Sequence, residues 1–420
     1  MTESTLALIS LIFLVGAIAL GFGRKLNVGI VAIGFALVLG KLAMASDRVI
    51  FNGFSASMFV TLTGVTYLFS IAQANGTLEL MAKKIVSLAG RRTALIPVAM
   101  FILGFIISAM GPGPIPTHAL VAAFGVPLAL QMKANPIFIC VMGQLGAMAG
   151  CGSPLSPTAV IGENLSADAG IANVTIPMFA STAICFVIFA IFVYVFIYKG
   201  YKLVGENPIK RSELPKFDRD HTLTLFAMVV MAVIVLLLKY NVGLVAFFVA
   251  VVLNLIGVGD ERESLRLMPW GTILMVCGVG VLMELVISFG GIAIVVNGLT
   301  SIMNDTTVIP FFGAASGILS WFSSTSGVVM PTMIPTIPDI LLSINANPST
   351  LVVAIVVVAN CAGLSPASSA GGQVLANYTS QGNLSTAEAN KVFSQLFAIS
   401  ALGVVFMSIL GFLGLFGIFC

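Results

Sequence analysis

The sequence predicts an all-α polytopic membrane protein built from two inverted-topology repeats, each of five spans and one re-entrant hairpin, with broken helices at the membrane midplane. Three observations predict it. The 420 residues are 59% apolar and only 8% charged, with a mean hydropathy of +1.11, against about 25% charge in a water-soluble domain. Ten apolar runs approach the roughly 20 residues that a spanning helix needs. Turn-type motifs also recur between the halves at a nearly constant spacing.

In the first half, residues 1–198, the runs at about 5–22, 27–45, 55–74, 134–160 and 173–198 are the five spans, the first three (5–74) forming a scaffold. The N-terminus has no basic region and no small-residue cleavage site ahead of the first run, which is therefore expected to be a retained span. Between the third and fourth spans lie an amphipathic stretch from Gly76 to Arg92 and two apolar pieces. These pieces are parted by Gly111-Pro112-Gly113-Pro114-Ile115-Pro116. Three prolines and two glycines in six residues cannot continue a helix, and no charge there marks a solvent loop. The pieces read as a re-entrant hairpin over 93–132 whose tip stops inside the bilayer.

The second half, 222–420, repeats the plan. Its spans lie at about 222–238, 241–258, 270–289, 348–375 and 390–417, the first three (222–289) again forming scaffold. Its hairpin spans 306–343, with Ser323-Ser324-Thr325-Ser326-Gly327 at the tip. The segment 199–221 between the halves carries six basic and four acidic residues and reads as a surface linker. Asn27-Val28-Gly29 recurs as Asn241-Val242-Gly243, and Gly64 and Gly76 recur as Gly278 and Gly290, all at an offset of 214. Asn135-Pro136, Ser153-Pro154 and Ser156 then recur as Asn347-Pro348, Ser365-Pro366 and Ser368 at an offset of 212. An odd number of crossings per half forces the second repeat to enter from the opposite side.

Charge bias orients the chain. With the linker cytoplasmic, sixteen of the nineteen basic residues fall inside, leaving Lys41, Arg48 and Lys239 outside or near the outer edge, as the positive-inside rule expects. Both termini then face outward. The thin net charge of +3 gives no footprint for nucleic acid. The six cysteines form no CxxC pair and read as small core residues.

Irregular backbone at membrane depth is tolerated only where it is buried in protein or lines a water-filled cavity. Four such places occur: the two hairpin tips, and interruptions at 149–157 and 361–372 within the broken spans 134–160 and 348–375. Paired broken helices at matching positions of two inverted halves mark a transporter's binding site. Half-helix N-termini suit a carboxylate or another oxyanion, while unwound carbonyls with Ser and Thr hydroxyls offer oxygen ligands to a hard cation such as sodium. None of the four breaks holds Lys or Arg, so an anion there would be held by hydroxyls, amides and dipoles, with a co-bound cation balancing charge. The candidate substrate-binding residues are Gly111, Pro112, Gly113, Thr117, Ser153, Pro154 and Ser156 in the first half. In the second half they are Ser323, Ser324, Thr325, Ser365, Pro366 and Ser368.

Two further groups are candidates for proton coupling: His118, just after the first tip, and Glu284, an intramembrane carboxylate. Glu163, Asn164 and Asp168 read as a solvated loop near the outer face, and Lys41 as a snorkelling side chain.

The layout resembles the ion transporter superfamily, the fold of the divalent anion:sodium symporters, and most closely the MatC-type malonate and dicarboxylate carriers. The resemblance covers nearly the whole chain. It rests on two inverted repeats, on a tip at Ser323-Ser324-Thr325 close to the family's Ser-Asn-Thr pattern, and on loops at Ser153-Pro154 and Ser365-Pro366. The first tip, Gly111-Pro112-Gly113, lacks the hydroxyls. The resemblance implies substrate carboxylates meeting both tips, and an elevator-like shift of the hairpin-bearing domains against a scaffold homodimer. It also implies one sodium near Ser323, Ser324, Thr325, Gly363, Ser365 and Ser368, and another near Gly111, Gly113, Gly150 and Ser153. At the first tip backbone carbonyls or Thr117 would have to serve, or coupling would use fewer sodium ions or a proton.

The expectation is thus a cation-coupled secondary transporter of a small dicarboxylate such as malonate or succinate in a bacterial-type inner membrane. The alternative within the fold is a cation/proton antiporter or an arsenite-type anion exporter, although an antiporter would be expected to show a paired acidic site that neither loop contains. An intramembrane enzyme would need a catalytic dyad inside the spans, and none is present. A channel is disfavoured by the duplicated broken-helix plan.

Overall fold

The computed structural model describes residues 3–24, 26–90, 92–204, 208–209, 211–238, 240–301, 303–321 and 323–420. Four residues of the charge count, Lys25, Arg91, Lys210 and Lys239, lie outside them, as do linker residues 205–207 and Phe322 beside the second tip.

The described residues form helices in an order that runs twice. The first half contains α1 (Glu3–Arg24), α2 (Val28–Leu42), α3 (Asp47–Asn52), α4 (Ala56–Ala74), α5 (Thr77–Ser87), α6 (Ile96–Met110), α7 (Pro114–Gln131), α8 (Pro136–Gly150), α9 (Pro157–Asp168) and α10 (Thr175–Phe192), the last continued by a π-turn over Val193–Ile197. The second contains α11 (Arg219–Leu238), α12 (Val242–Leu255), α13 (Glu261–Leu267), α14 (Trp270–Ser288), α15 (Gly291–Thr300) and α16 (Val308–Trp321). A helical arm over Thr325–Leu341 follows, formed by a π-turn, α17 (Met330–Met333), a 3-10 turn and α18 (Ile337–Leu341). The chain ends with α19 (Pro348–Ala362), α20 (Ser369–Gln381) and α21 (Thr386–Phe412). The starts of α4 and α14, and of α5 and α15, lie 214 residues apart; those of α8 and α19, and of α9 and α20, lie 212 apart.

The recurring motifs are helix boundaries. Asn27 and Asn241 are N-caps whose side-chain oxygens accept the N–H of Gly29 (2.9 Å) and Leu244 (3.1 Å), satisfying donors that the helix leaves free. Asn135 and Asn347 do the same for Ile137 and Ser349, both at 2.9 Å. The proline that follows each takes the first helical position, where its missing N–H costs nothing. Gly76 and Gly290 both turn the chain with φ of +78°, a conformation open to glycine without a Cβ clash.

Among the described residues, eight helices are long and apolar enough to cross a membrane, or nine if the bent pair Val308–Trp321 and Thr325–Leu341 counts as one. In that pair the axis turns by 117°. The helices α2 and α12, at 15 and 14 residues, fall short of the full spans expected over 27–45 and 241–258. The reason lies at their C-terminal ends: both start directly after their Asn caps but stop at Leu42 and Leu255, and the chain then turns into the short helices α3 and α13. The helix α11 begins at Arg219, inside the expected linker. Glu163, Asn164 and Asp168 lie within α9, which corrects the expected loop: after the break at 151–156, Pro157 restarts a helix that carries them.

The most buried elements are the ones the sequence marks as broken. All 15 residues of α8 are buried, and all of α19 except Pro348, as befits helices that are apolar all round. At about 1.5 Å per residue each is about 22 Å long, short of the ~30 Å hydrocarbon core. Each therefore starts at its Asn-Pro cap and ends inside the protein. The helix α8 packs among α6, α7 and α10, while α19 packs among α16, α21 and α10. The scaffold helices cross between halves, α2 against α14 and α12 against α4. Lys41 pairs with Asp47 at 2.5 Å on the surface, so its charge is answered within the protein. The six cysteines are free; five are buried and Cys420 is exposed.

Candidate functional site

Each hairpin tip meets the interrupted loop of its own half. At the first tip the chain turns through Gly111 (φ +144°) and Gly113 (φ +73°). Gly111 backs onto the ring of Phe69, and a Cβ on Gly113 would stand 3.1 Å from the Ser156 hydroxyl and 2.9 Å from Cδ of Pro157. Ser153 donates its hydroxyl to the Ala109 carbonyl (2.7 Å), pinning the first loop to the end of α6. Gly150 packs against α6, where its Cβ would meet the Ala109 nitrogen at 2.9 Å. Thr117 donates its hydroxyl to the Gly113 carbonyl (2.6 Å), which holds that hydroxyl beside the first tip.

The second tip is richer in oxygen. The hydroxyls of Ser320 and Thr325 lie 2.9 Å apart, and both donate to the Ala359 carbonyl of α19, at 2.8 and 3.0 Å. Ser323 donates to Leu319 O (2.7 Å), and Ser324 accepts the Gly327 N–H (3.2 Å), capping the second arm. The 212-residue offset matches Ser320, Thr325 and Ala359 with Ser108, Gly113 and Ala147. Where Thr325 and Ala359 satisfy Ser320, the buried hydroxyl of Ser108 has no partner among the described residues, and neither has that of Ser156.

A cavity of about 250 Å³ lies between the halves. Its second-half wall holds Ser323, Ser324, Thr325 and Ser326 of the tip, with Asn360, Gly363, Ser368 and Ser369 of the broken span and Thr272 of α14. The first half contributes Pro114, Ile115 and His118 of α7, and Val28. The first turns of α7, of the arm from Thr325 and of α20 thus all reach the cavity, and each helix presents its positive end there. Among the described residues no Asp, Glu, Lys or Arg side chain lines it. An adjoining cleft of about 30 Å³ carries Pro112, Pro157 and Thr158, and Thr158 approaches Ser326 at 3.3 Å across the halves.

Of the expected residues, the structure brings Ser323, Ser324, Thr325, Gly363, Ser368 and His118 to this cavity. Ser365 is buried behind it, its hydroxyl accepting the Ala367 N–H (3.2 Å). Pro366 and Pro154 shape their loops without lining it. Gly111, Gly113, Ser153 and Ser156 form a separate cluster at the first tip. Thr117 and Pro112 face a larger cavity of about 870 Å³ between α7 and the linker. Glu284 lines a third cavity, of about 520 Å³, with Asp168 and Asp339. Asn360, Thr272 and Val28 were missed by the sequence reading. Asn360 had a visible signal, an amide closing the apolar run 351–359; Thr272 and Val28 reach the cavity through tertiary packing alone.

Residues 4–151 match the family described as dicarboxylate carrier protein MatC N-terminus. No curated protein matches the chain. Among solved structures, the YdaH transporter of Alcanivorax borkumensis is similar in fold at a TM-score of 0.59 and 13% identity, with 87% of this chain and 86% of that one covered. The Neisseria gonorrhoeae protein MtrF, described in a class of antimetabolite efflux pumps, follows at a TM-score of 0.50 and 12% identity, covering 87% and 81%. With that N-terminal match and a fold shared with these two transporters, the chain resembles the MatC-type dicarboxylate carriers, and its apolar helices make it a multi-pass membrane protein.

Proposed function

We propose that the protein is a secondary active transporter of small dicarboxylates, malonate or a C4-dicarboxylate such as succinate, coupled to sodium. The observation that carries this reading is the cavity of about 250 Å³ on which three helix N-termini and a row of hydroxyls converge with no Lys or Arg among the described residues that line it. Such a wall attracts an anion through dipoles and hydrogen-bond donors, and its volume, below the ~300–1,000 Å³ of drug-sized pockets, suits a small molecule. The match of residues 4–151 to a dicarboxylate carrier family names the same chemical class.

Sodium is the coupling ion in this reading because the oxygens are neutral. Ser320, Thr325 and Ala359 offer a cluster of three beside the second tip, with Ser323, Gly363 and Ser368 close by along the cavity wall. A cation there would offset the charge of the substrate. At the first tip a second sodium would lie near Gly111, Gly113, Gly150 and Ser153, with the buried hydroxyls of Ser108 and Ser156 beside them. The two halves are inverted repeats, and the hairpins with their broken spans move as an elevator against a homodimeric scaffold of α1–α4 and α11–α14. The paired crossings of α2 on α14 and α12 on α4 support the repeat. The protein sits in a bacterial-type inner membrane with the linker cytoplasmic and both termini outside.

The test is uptake of radiolabelled malonate and succinate into proteoliposomes under an inward sodium gradient, an inward proton gradient, or neither. Sodium-driven uptake is expected. Uptake driven by protons alone would remove sodium from the reading. No uptake under any gradient would favour the antiporter or exporter alternative.

A further inference from the structure

We infer that His118 is the specificity-determining residue that makes the cavity select two-ended acids over one-ended ones; this rests on the dicarboxylate reading above. The cavity is asymmetric in its chemistry. Every hydroxyl and amide that lines it belongs to the second half, whereas the first half presents Val28, Pro114, Ile115 and His118. Among the described residues, His118 is therefore the one polar side chain that the first half offers there.

His118 is also a polar group in want of a partner. It is 3% exposed, and neither Nδ1 nor Nε2 has a hydrogen-bond partner among the described residues. An imidazole that packs for structural reasons alone normally gives its ring N–H to a carbonyl, since a buried unsatisfied donor is expensive. Here both nitrogens are left without a partner at the fifth residue of α7, beside Pro114 and Ile115 of the same cavity wall.

A monocarboxylate can satisfy only one wall. Its carboxylate takes the hydroxyls and helix ends of the second half and leaves the imidazole unpaired. A dicarboxylate of three or four carbons presents a second carboxyl group, which accepts the ring N–H of His118. Discrimination against the molecule lacking that group is strong when a site's buried polar atom is otherwise left unpaired. Chain length then matters as well, because the two walls are fixed by different halves of the protein.

The experiment measures dissociation constants of malonate and of its monomethyl ester for the purified full-length protein, in the wild type, His118→Gln and His118→Leu. The wild type is expected to prefer malonate by tenfold or more, roughly the worth of one hydrogen bond to a charged group. In His118→Leu the preference should fall to about one through weaker malonate binding, with the ester's affinity held. His118→Gln, which keeps a donor, should retain part of the preference. A preference unchanged in His118→Leu, or equal losses for both ligands in both variants, would overturn the assignment. Wild-type protein that binds neither malonate nor succinate would instead overturn the dicarboxylate reading, and this inference with it.

Discussion

Gly64 of α4 lies so close to Gly243 of α12 that a Cβ built on Gly64 would stand 2.8 Å from the Gly243 carbonyl carbon. Gly278 of α14 meets Gly29 of α2 in the same way, its Cβ falling 2.6 Å from the Gly29 carbonyl carbon. Adding 214 to Gly29 and Gly64 gives Gly243 and Gly278, so one contact becomes the other when the halves are exchanged. Small residues let helix backbones approach in a membrane, where no hydrophobic effect drives helices together. Two glycines at each crossing therefore hold the scaffold of one half against that of the other.

Replacing Gly64 or Gly278 by valine should destabilise the protein, because the facing atoms are backbone and cannot yield. Overpacking of this kind costs about 1–3 kcal/mol, read as a lower Tm of the purified protein in detergent, and the two variants should fall by similar amounts. Gly34→Ala, at a position with no neighbour within 4 Å, is the control and should melt like the wild type. If Gly64→Val and Gly278→Val also melt like the wild type, the glycine crossings are not what joins the halves.

The same glycines show what was legible in the sequence. Asn27, Gly64, Gly76 and the two Asn-Pro pairs were readable as a repeat because helix caps and left-handed turns need particular residue types. The tips and loops were readable because Pro and Gly cannot continue a helix. The composition of the cavity was less so: Val28 and Thr272 come from scaffold helices, and nothing local in an apolar run says which face meets a hairpin from the other half. Glu284 reads from the sequence as a lone carboxylate in a span, whereas the fold sets it in one cavity with Asp168 and Asp339, a grouping no local pattern shows. Thr117 sits one helical turn beyond Gly113 and donates to its carbonyl, a contact with the tip that the i, i+4 spacing made legible.

Gln144 is a second joint between the halves. It is fully buried on α8 and donates from Nε2 to the Ala370 carbonyl on α20 at 2.7 Å. Gln144→Leu removes that hydrogen bond, worth about 0.5–1.5 kcal/mol net, and with it the buried Oε1 that has no partner among the described residues. The expected readout is a lower Tm, with substrate affinity moved less than stability because Gln144 does not line the cavity. An unchanged Tm would mean that water serves Ala370 equally well.

The matched serines Ser108 and Ser320 should respond in opposite ways. Ser320→Ala removes one oxygen of the cluster at Ala359 and should cut sodium-driven uptake at least tenfold while raising the sodium concentration needed for half-maximal rate. Ser108→Ala removes a buried hydroxyl with no partner and should leave the Tm unchanged or raise it, since an unsatisfied buried polar group costs about 1–3 kcal/mol. Uptake under graded sodium checks both. A fall in sodium affinity in Ser108→Ala would show that the first tip holds a working sodium site built on that hydroxyl.

Gly113 carries the sharpest test of the first tip. Its φ of +73° with ψ of −172° belongs to a region that is essentially glycine's alone, where another residue costs about 1–3 kcal/mol. An added methyl would also press on Pro157 at 2.9 Å and Ser156 at 3.1 Å, driving the tip from its loop. Strain alone does not distinguish a working tip from an ordinary turn, so the comparison is Gly170→Ala. Gly170 has a φ of +74° and nothing within 4 Å of its Cβ, and its substitution carries the backbone penalty without a clash. Both variants should lose some Tm. Only Gly113→Ala should also lose uptake, by tenfold or more, because only there does the methyl separate a hairpin from the broken span it works against. Equal uptake in the two variants would mean that the first tip tolerates displacement, and that the second tip alone carries the substrate and its ion.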